Sequence, residues 1–433
     1  MYRHSRESAL LSGIICLTKL WDVAGIGLRV LTSVCRLKNQ TCNMFRITNF
    51  QEIMKGMPRG PFDAIVKKHN ANKYTKQFGY WQHAIAMIYG QLSGASSLRE
   101  LQAGFNGHFA HHYHLGASAI KKSTLADANS QRKEAVFVDV VQWLMQKASR
   151  SVRQQSKEWL CLLDSTPIFL RGREFDRWTE ESKTRHTQGL KLHVLYDTKA
   201  EVPTWQSMTA PNVNDVTKAW DVPLQKGAIY VFDKGYCDYG WWREIDLAEA
   251  QFVTRFKCNA GVSIEKELPI EAVDKDIVIS DQLVRFKHKH ARAKCKLHYE
   301  RPLRRVTVIR EDKATPLVLA TNDLTNSARD LAQRYKERWG IELFFKWIKQ
   351  HLKIKRFLGR SENAVRIQLL TALIAYLLVA LHKQTHQLKA TLWECLCLIR
   401  ATLFQCKGLD EHRERKRRQK EEIMKQFQTQ LFT

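Results

Sequence analysis

Residues 335–353 read YKERWGIELFFKWIKQHLK. On a helix, Tyr335, Arg338, Glu342, Lys346, Lys349 and Lys353 recur at three- and four-residue steps and share one stripe. The other sides carry Trp339, Ile341, Leu343, Phe344, Phe345, Trp347, Ile348 and Leu352. The helix therefore reads as mostly buried, with one acid and several bases along a narrow charged line. Taking such a line into a protein is costly unless a counter-charge occupies it. A metal ion and a phosphate backbone are suitable occupants. The competing reading is a surface helix with i,i+4 ion pairs, and the rest of the chain decides between them.

Upstream, WLCLLD (159–164) is a short continuous apolar run of the kind a central strand shows, ending in Asp164 and followed by Ser-Thr-Pro. LKLHVLYD (190–197) alternates like a strand. GAIYVFDKGY (227–236) repeats the first pattern and ends in Asp233, and QFVTRFK (251–257) adds another strand. An acid that closes a buried strand can be a turn-former, but ligand sites in open α/β sheets lie at strand ends. Asp164, Asp233 and Glu342 converge if the two strands are neighbours and the helix packs across them. Carboxylate oxygens of that kind suit Mg²⁺ or Mn²⁺, and a pair of such ions can act on the attacking and leaving oxygens of a phosphodiester. Arg338, Lys346 and Lys349 then bind phosphates beside the scissile bond, and Tyr335 hydrogen-bonds or stacks there.

Composition agrees. The 433 residues hold 70 Lys+Arg against 43 Asp+Glu, a formal net charge of +27 spread along the whole chain. That balance points to a polyanion, most simply nucleic acid, and no basic amphipathic membrane anchor stands out. Ten cysteines show no C-x-x-C pair, and Cys395 and Cys397 are too close for a zinc knuckle, so they read as reduced and buried in a cytoplasmic protein. Ile367–Leu381 falls short of the roughly 20 residues a spanning helix needs and reads as a core helix. The early stretch SALLSGIICL lacks a small-residue cleavage site. Residues 1–43 do not pattern with the remainder of the chain, and translation is expected to start at Met44.

Residues 44–150 read as an all-helical domain. SSLRELQAGF opens with N-cap serines, with Glu100 three residues after Ser97. Lys121, Lys122, Ser123 and Thr124 precede a further helix, as suits a DNA-binding module. His108, His111, His112 and His114 have no Cys or carboxylate at ligand spacing and read as a polar loop. Residues 258–320 are rich in β-branched and basic residues, which predicts antiparallel hairpins with a basic face. Residues 410–427 read as a solvated mixed-charge helix, with oligomerisation as the sharper alternative.

Tyr335, Arg338, Glu342 and Lys349 fit Y-x2-R-x3-E-x6-K without a gap. With Asp164 in LLDSTP, Asp233 in FDKGY and TND ahead of the helix, the chain resembles the insertion-sequence transposase family numbered four, a branch of the DDE transposases. Residues from Phe45 through SSLREL and KKSTLADANSQR resemble the helical domain that precedes the core in one subgroup. The resemblance implies an RNase H-like α/β core over 151–380, with a β-rich insertion at about 258–320. The all-helical domain precedes this core, and a basic helical region comes after it at 381–433. It implies Asp164, Asp233 and Glu342 as metal ligands for two Mg²⁺ or Mn²⁺ ions. It implies Tyr335, Arg338, Lys346 and Lys349 as contacts to the DNA end. The partners implied are double-stranded DNA, both terminal inverted repeats and target, and a second copy of the chain on paired ends. Strand cleavage and strand transfer are the activity implied. A catalytically silent DNA-binding regulator and a metal-dependent endonuclease without end joining are the alternatives. Some relatives hold a flipped base on a Trp in the insertion; this chain has no Trp between Phe256 and Tyr335, which leaves Tyr299 or Phe286 as stacking substitutes.

Overall fold

A computed structural model describes residues 47–73, 75–153, 158–181, 188–257, 260–287, 299–310, 313–352, 354 and 356–406. The leader 1–43, Met44, Lys353 and the segment 410–427 lie outside the described residues. The chain divides into two compact units: 50–403, and the two chain ends. Of the ends, 47–49 and 404–406 are described, and a bridge joins Thr48 to Cys406.

Within 50–403, helices come first: α1 (Arg59–Lys68), α2 (Tyr80–Ser93), α3 (Leu98–Gly107), α4 (Lys122–Gln131) and α5 (Glu134–Arg153). Ser97 caps α3 by accepting from Glu100 N at 3.1 Å, as its spacing predicts. The histidine stretch, expected as a polar loop, forms a 3-10 turn (Phe109–His111) and a short helix (His112–Leu115), in which His112 is buried, stacked on Phe105 and bonded to the Phe105 carbonyl.

The sheet is built from β1 (Trp159–Phe169), β2 (Glu180–Glu181), β3 (Gln188–Asp197), β4 (Val202–Thr209), β5 (Ala228–Phe232) and β6 (Gln251–Arg255). α6 (Asp215–Ala219) precedes β5, and α7 (Tyr239–Leu247) joins β5 to β6. The core order is β4-β3-β1-β5-β6, with β3 antiparallel to both β4 and β1, and with β5 and β6 parallel to β1. That is the RNase H-like arrangement. β5 is apolar at every position and buried throughout, because parallel strands are covered on both faces.

The insertion adds β7 (Val262–Glu267), β8 (Val278–Phe286), β9 (Leu303–Arg310) and β10 (Lys313–Thr321) as an antiparallel ladder. β10 also pairs with β6, so the insertion extends the core sheet directly. The two expected stacking residues are spent on this join. Tyr299 is 4 % exposed, and Phe286 packs on the Tyr239 ring at 4.3 Å. Tyr299 belongs to the same buried apolar cluster as Trp241 and Trp242, and the partly buried Phe286 packs against that cluster.

α8 (Ala328–Glu337) and α9 (Trp339–His351) run end to end through Arg338, with α10 (Glu362–Thr385) and α11 (Leu392–Thr402) after them. The single helix expected over 335–353 is thus divided. Arg338 keeps helical angles (φ −50°, ψ −28°), but the bonds around it tighten to three-residue spacing. Trp339 and Leu343 are 58 % and 49 % exposed rather than buried; Ile341, Phe344, Phe345 and Ile348 carry the packing.

α10 is the expected core helix, extended at both ends to 24 residues, with a Ser361 N-cap. It is long and apolar enough to cross a membrane by length and composition, with mean hydropathy 2.1, yet 94 % of that window is buried inside the protein. It packs against α2, α4 and α5, and Tyr376 meets Phe344 and Trp347 of α9 edge-on.

One glycine in the sheet is obligatory. Gly189 pairs with Phe169 at φ +144°, and an added Cβ would collide with the Ile168 carbonyl oxygen. Gly189→Ala is expected to cost about 2–3 kcal/mol in denaturant unfolding; a loss below about 0.5 kcal/mol would show that β3 shifts freely.

Candidate active site

The last β1–β5 pair is Leu163 with Phe232, and the last β5–β6 pair is Phe232 with Thr254. One residue further along three neighbouring parallel strands stand Asp164, Asp233 and Arg255. β5 stops because Asp233 leads into the 3-10 turn Lys234–Tyr236. β1 does not stop at Asp164, as its apolar run suggested, but continues to Phe169 because β3 still pairs with it. Asp164 therefore marks the point where β1 parts from β5.

α9 crosses β1 at its first turn, where an added Cβ on Gly340 would lie 3.3 Å from the Leu162 side chain. The approach to this crossing is fixed by TND. Thr321 Oγ1 donates to the Phe252 carbonyl, Asn322 bonds to Phe252, Ala250 and Asp246, and Asp323 organises the turn into α8. Ser327 then caps α8, accepting from Asp330 N at 3.1 Å.

The stripe residues meet the strand ends in pairs. Arg338 donates from Nη2 to Glu342 Oε1 at 2.7 Å and from Nη1 to Asp164 Oδ2 at 3.4 Å. Tyr335 donates to Asp233 Oδ1 at 3.3 Å, and Arg255 Nη1 stands 3.7 Å from the same oxygen. Lys349 donates to Thr166 Oγ1 at 2.5 Å. Lys346 is exposed, and with Asp164, Thr166, Glu342 and Lys349 it lines an open cleft of about 470 Å³.

Burial pushes the Asp164 carboxyl up to about 6. The Ser165 amide and Arg338 pull it down, while Glu342 and Asp215 add to the rise. Burial and the Asp233 charge push the Tyr335 phenol up to about 12, so it remains a neutral donor. Burial works against the Arg338 charge, but Glu342, Tyr335 and Asp164 outweigh it.

Among the described residues no three His, Cys, Asp or Glu side chains are grouped to hold a metal ion as they stand. The Arg338 guanidinium instead balances Asp164 and Glu342, and Tyr335 and Arg255 attend Asp233. The donors are hard carboxylate oxygens, and Arg338 is the cation that now stands between Asp164 and Glu342. That chemistry fits a small divalent cation.

The pH dependence has a definite sign. An acid whose pKa is raised by folding stabilises the protein below its unfolded value, and that contribution is lost as pH climbs through the folded one. In metal-free protein, Asp164→Asn is therefore expected to be more stable than wild type above pH 7, by on the order of 2–3 kcal/mol. The gap should close below about pH 4. Equal unfolding midpoints at pH 8 in the presence of a chelator would refute it.

Reading of the sequence missed Ser165, Thr166, Asp215 and Arg255. Arg255 carried a signal, since it comes after the apolar run of β6 as Asp233 comes after that of β5. Asp215 stands in an irregular stretch with no periodic neighbour, and only the fold brings it near.

Residues 155–378 match the family model described as Transposase DDE domain, and residues 46–118 match one described as a domain of unknown function, DUF4372. The chain is 40 % identical over 283 residues to transposase y4zB of Sinorhizobium fredii, covering 65 % of this chain and 77 % of that protein. It is 28 % identical over 272 residues to a transposase for insertion sequence element IS5377 of Geobacillus stearothermophilus, covering 59 % and 67 %. A solved structure of the piggyBac transposase synaptic complex with hairpin DNA aligns over 82 % of this chain and 78 % of that one, with 11 % identity and a TM-score of 0.40.

Proposed function

The chain belongs to the DDE transposase family, and on that premise we propose that it cuts and joins DNA at the ends of a bacterial insertion sequence with Asp164, Asp233 and Glu342 as its catalytic acids. Divalent-metal dependence comes with the DDE domain. The observation that carries the residue assignment is the register. It sets Asp164 and Asp233 abreast on neighbouring strands, and Arg338 links Asp164 to Glu342 across them.

In this reading the three carboxylates hold Mg²⁺ or Mn²⁺, as a pair of ions, and the metal lowers the cost of charge on the attacking and leaving oxygens. Arg338, bonded here to Asp164 and Glu342, would be the group to pair with a DNA phosphate if those carboxylates held a cation. Tyr335 offers a neutral hydroxyl beside Asp233, and Lys349 and Lys346 line the cleft along which the strand lies. The substrates are the terminal inverted repeats and a target duplex, and two copies of the chain act on paired ends in the cytoplasm. The helical residues 44–150 read the end. In support, an open cleft of about 680 Å³ between 70–80 and α4 is lined by Lys73, Lys76, Arg132 and Lys133 with Asp127.

The test is cutting of a duplex that carries the element end, with and without Mg²⁺, by wild type and Asp233→Asn. A Mg²⁺-dependent nick leaving a 3′-OH, made by wild type and lost in the variant, is expected. Cutting without a divalent ion, or equal cutting by both proteins, would overturn the assignment. Lys346→Ala, at an exposed position, should weaken duplex binding and lower the salt slope by about one. An unchanged slope would remove Lys346 from the phosphate contacts.

A further inference from the structure

Asp215 begins α6, outside the three acids assigned above, and three elements converge on its carboxylate. Its Oδ1 accepts from Ser165 Oγ of β1 at 2.8 Å and lies 3.1 Å from Lys191 Nζ of β3. Lys191 in turn donates to the Val213 carbonyl at 2.8 Å, which holds the segment entering α6 against the sheet. Its Oδ2 adjoins the turn after Asp233, since a Cβ added to Gly235 would stand 3.8 Å away, in ordinary contact. His193, paired with Ser165 in the β1–β3 register, has Nδ1 3.8 Å from Oδ1, too far for a hydrogen bond. Burial pushes that imidazole down to about 4, so it is neutral and Lys191 supplies the balancing charge. Tyr236, 2 % exposed, is buried nearby, and the charges of Asp215, Asp164 and Asp233 add to burial in raising its phenol pKa.

Successive side chains of a strand point to opposite faces. Drawing Ser165 toward Asp215 therefore keeps Asp164 turned toward α9, where it meets Arg338. The same carboxylate lies beside the turn that follows Asp233. We infer that Asp215 is a positioning residue, a shared anchor that sets the separation of Asp164 and Asp233 without itself touching DNA. This rests on the transposase reading.

Full-length wild type, Asp215→Ala, Asp215→Asn and Ser165→Ala are compared in three measurements. These are single-turnover cutting of an element-end duplex, the Kd for that duplex, and Mn²⁺ binding followed by paramagnetic resonance of the free ion. Asp215→Ala should lose about 10- to 100-fold in cutting rate and in Mn²⁺ affinity, with the duplex Kd unchanged. Asp215→Asn retains an oxygen that accepts from Ser165 and Lys191, and should stay within about threefold of wild type, with Ser165→Ala in between. Wild type that binds Mn²⁺ but never cuts would defeat the transposase reading, while the Mn²⁺ comparison still decides the anchor. Wild-type rate and Mn²⁺ affinity in Asp215→Ala would overturn the inference. So would an Asp215→Asn loss as large as that of Asp215→Ala, which would mark a charge contribution instead of an anchor. Should Asp215→Ala not fold, Ser165→Ala decides, and unchanged affinity and rate in it overturn the proposal.

Discussion

Glu342→Gln is expected to cut an element end at least about 10³-fold more slowly than wild type, a loss of about 4 kcal/mol in transition-state stabilisation. Duplex affinity should stay within about threefold. Glutamine keeps the size of the side chain and can still accept from Arg338 Nη2, now 2.7 Å from Glu342 Oε1. What it loses is the negative charge. If Glu342 were merely an i,i+4 partner of Arg338, the change would cost at most about 1 kcal/mol of stability and leave cutting intact. The two roles thus differ by orders of magnitude in one measurement, single-turnover cutting at saturating duplex. A rate within about tenfold of wild type would return Glu342 to the helix surface as an ion-pair partner.

Asp323→Ala is expected to give the largest loss of stability, about 3–5 kcal/mol in denaturant unfolding. The Asp323 side chain is 0 % exposed. It accepts from the Thr325 amide and hydroxyl, from the Asn326 amide and side chain, and from Arg334 at 2.8 Å. Burial opposes its charge, but these donors prevail and hold the carboxyl below its ordinary value. A depressed acid stabilises above its unfolded pKa and loses that contribution as pH falls, so the gap between wild type and variant should narrow in acid. Alanine leaves the partly buried Arg334 with Glu158 as its remaining acidic partner, and leaves the turn into α8 without a centre. The neighbouring buried pair Arg304–Asp281, which also bonds Asn326, ties the same turn to the insertion. A change below about 1 kcal/mol would show that the turn is held by its backbone alone.

The candidate site was legible where its signals are local. Each acid after an apolar run is visible because a buried strand is a short uninterrupted stretch, and the spacing of Tyr335, Arg338, Glu342 and Lys349 survives the tightened turn at Arg338. What sequence did not disclose depends on pairing between distant segments. β1 runs past Asp164 because β3 continues beside it, and Trp339 and Leu343 are exposed because Ile341, Phe344, Phe345 and Ile348 form the packed face of the helix. Tyr299 is buried in the cluster around Trp242 and Phe286 packs against it, since the insertion is continuous with the core sheet. Asp215 meets Ser165 and Lys191 through β1, β3 and α6 together, a convergence that no window of residues contains.

The packing of α10 sets an order of events during synthesis. Helices α2, α4 and α5 are made first, yet the apolar surface that completes them belongs to residues 362–385. At about 5–20 residues per second, they wait on the order of ten to fifty seconds for it to leave the ribosome. By then Asp164, Asp233 and Glu342 have all been translated. The helices proposed to grip the element end thus reach their final form only after the proposed catalytic acids have been made, and a chain that ends just before residue 362 carries those acids without a finished grip.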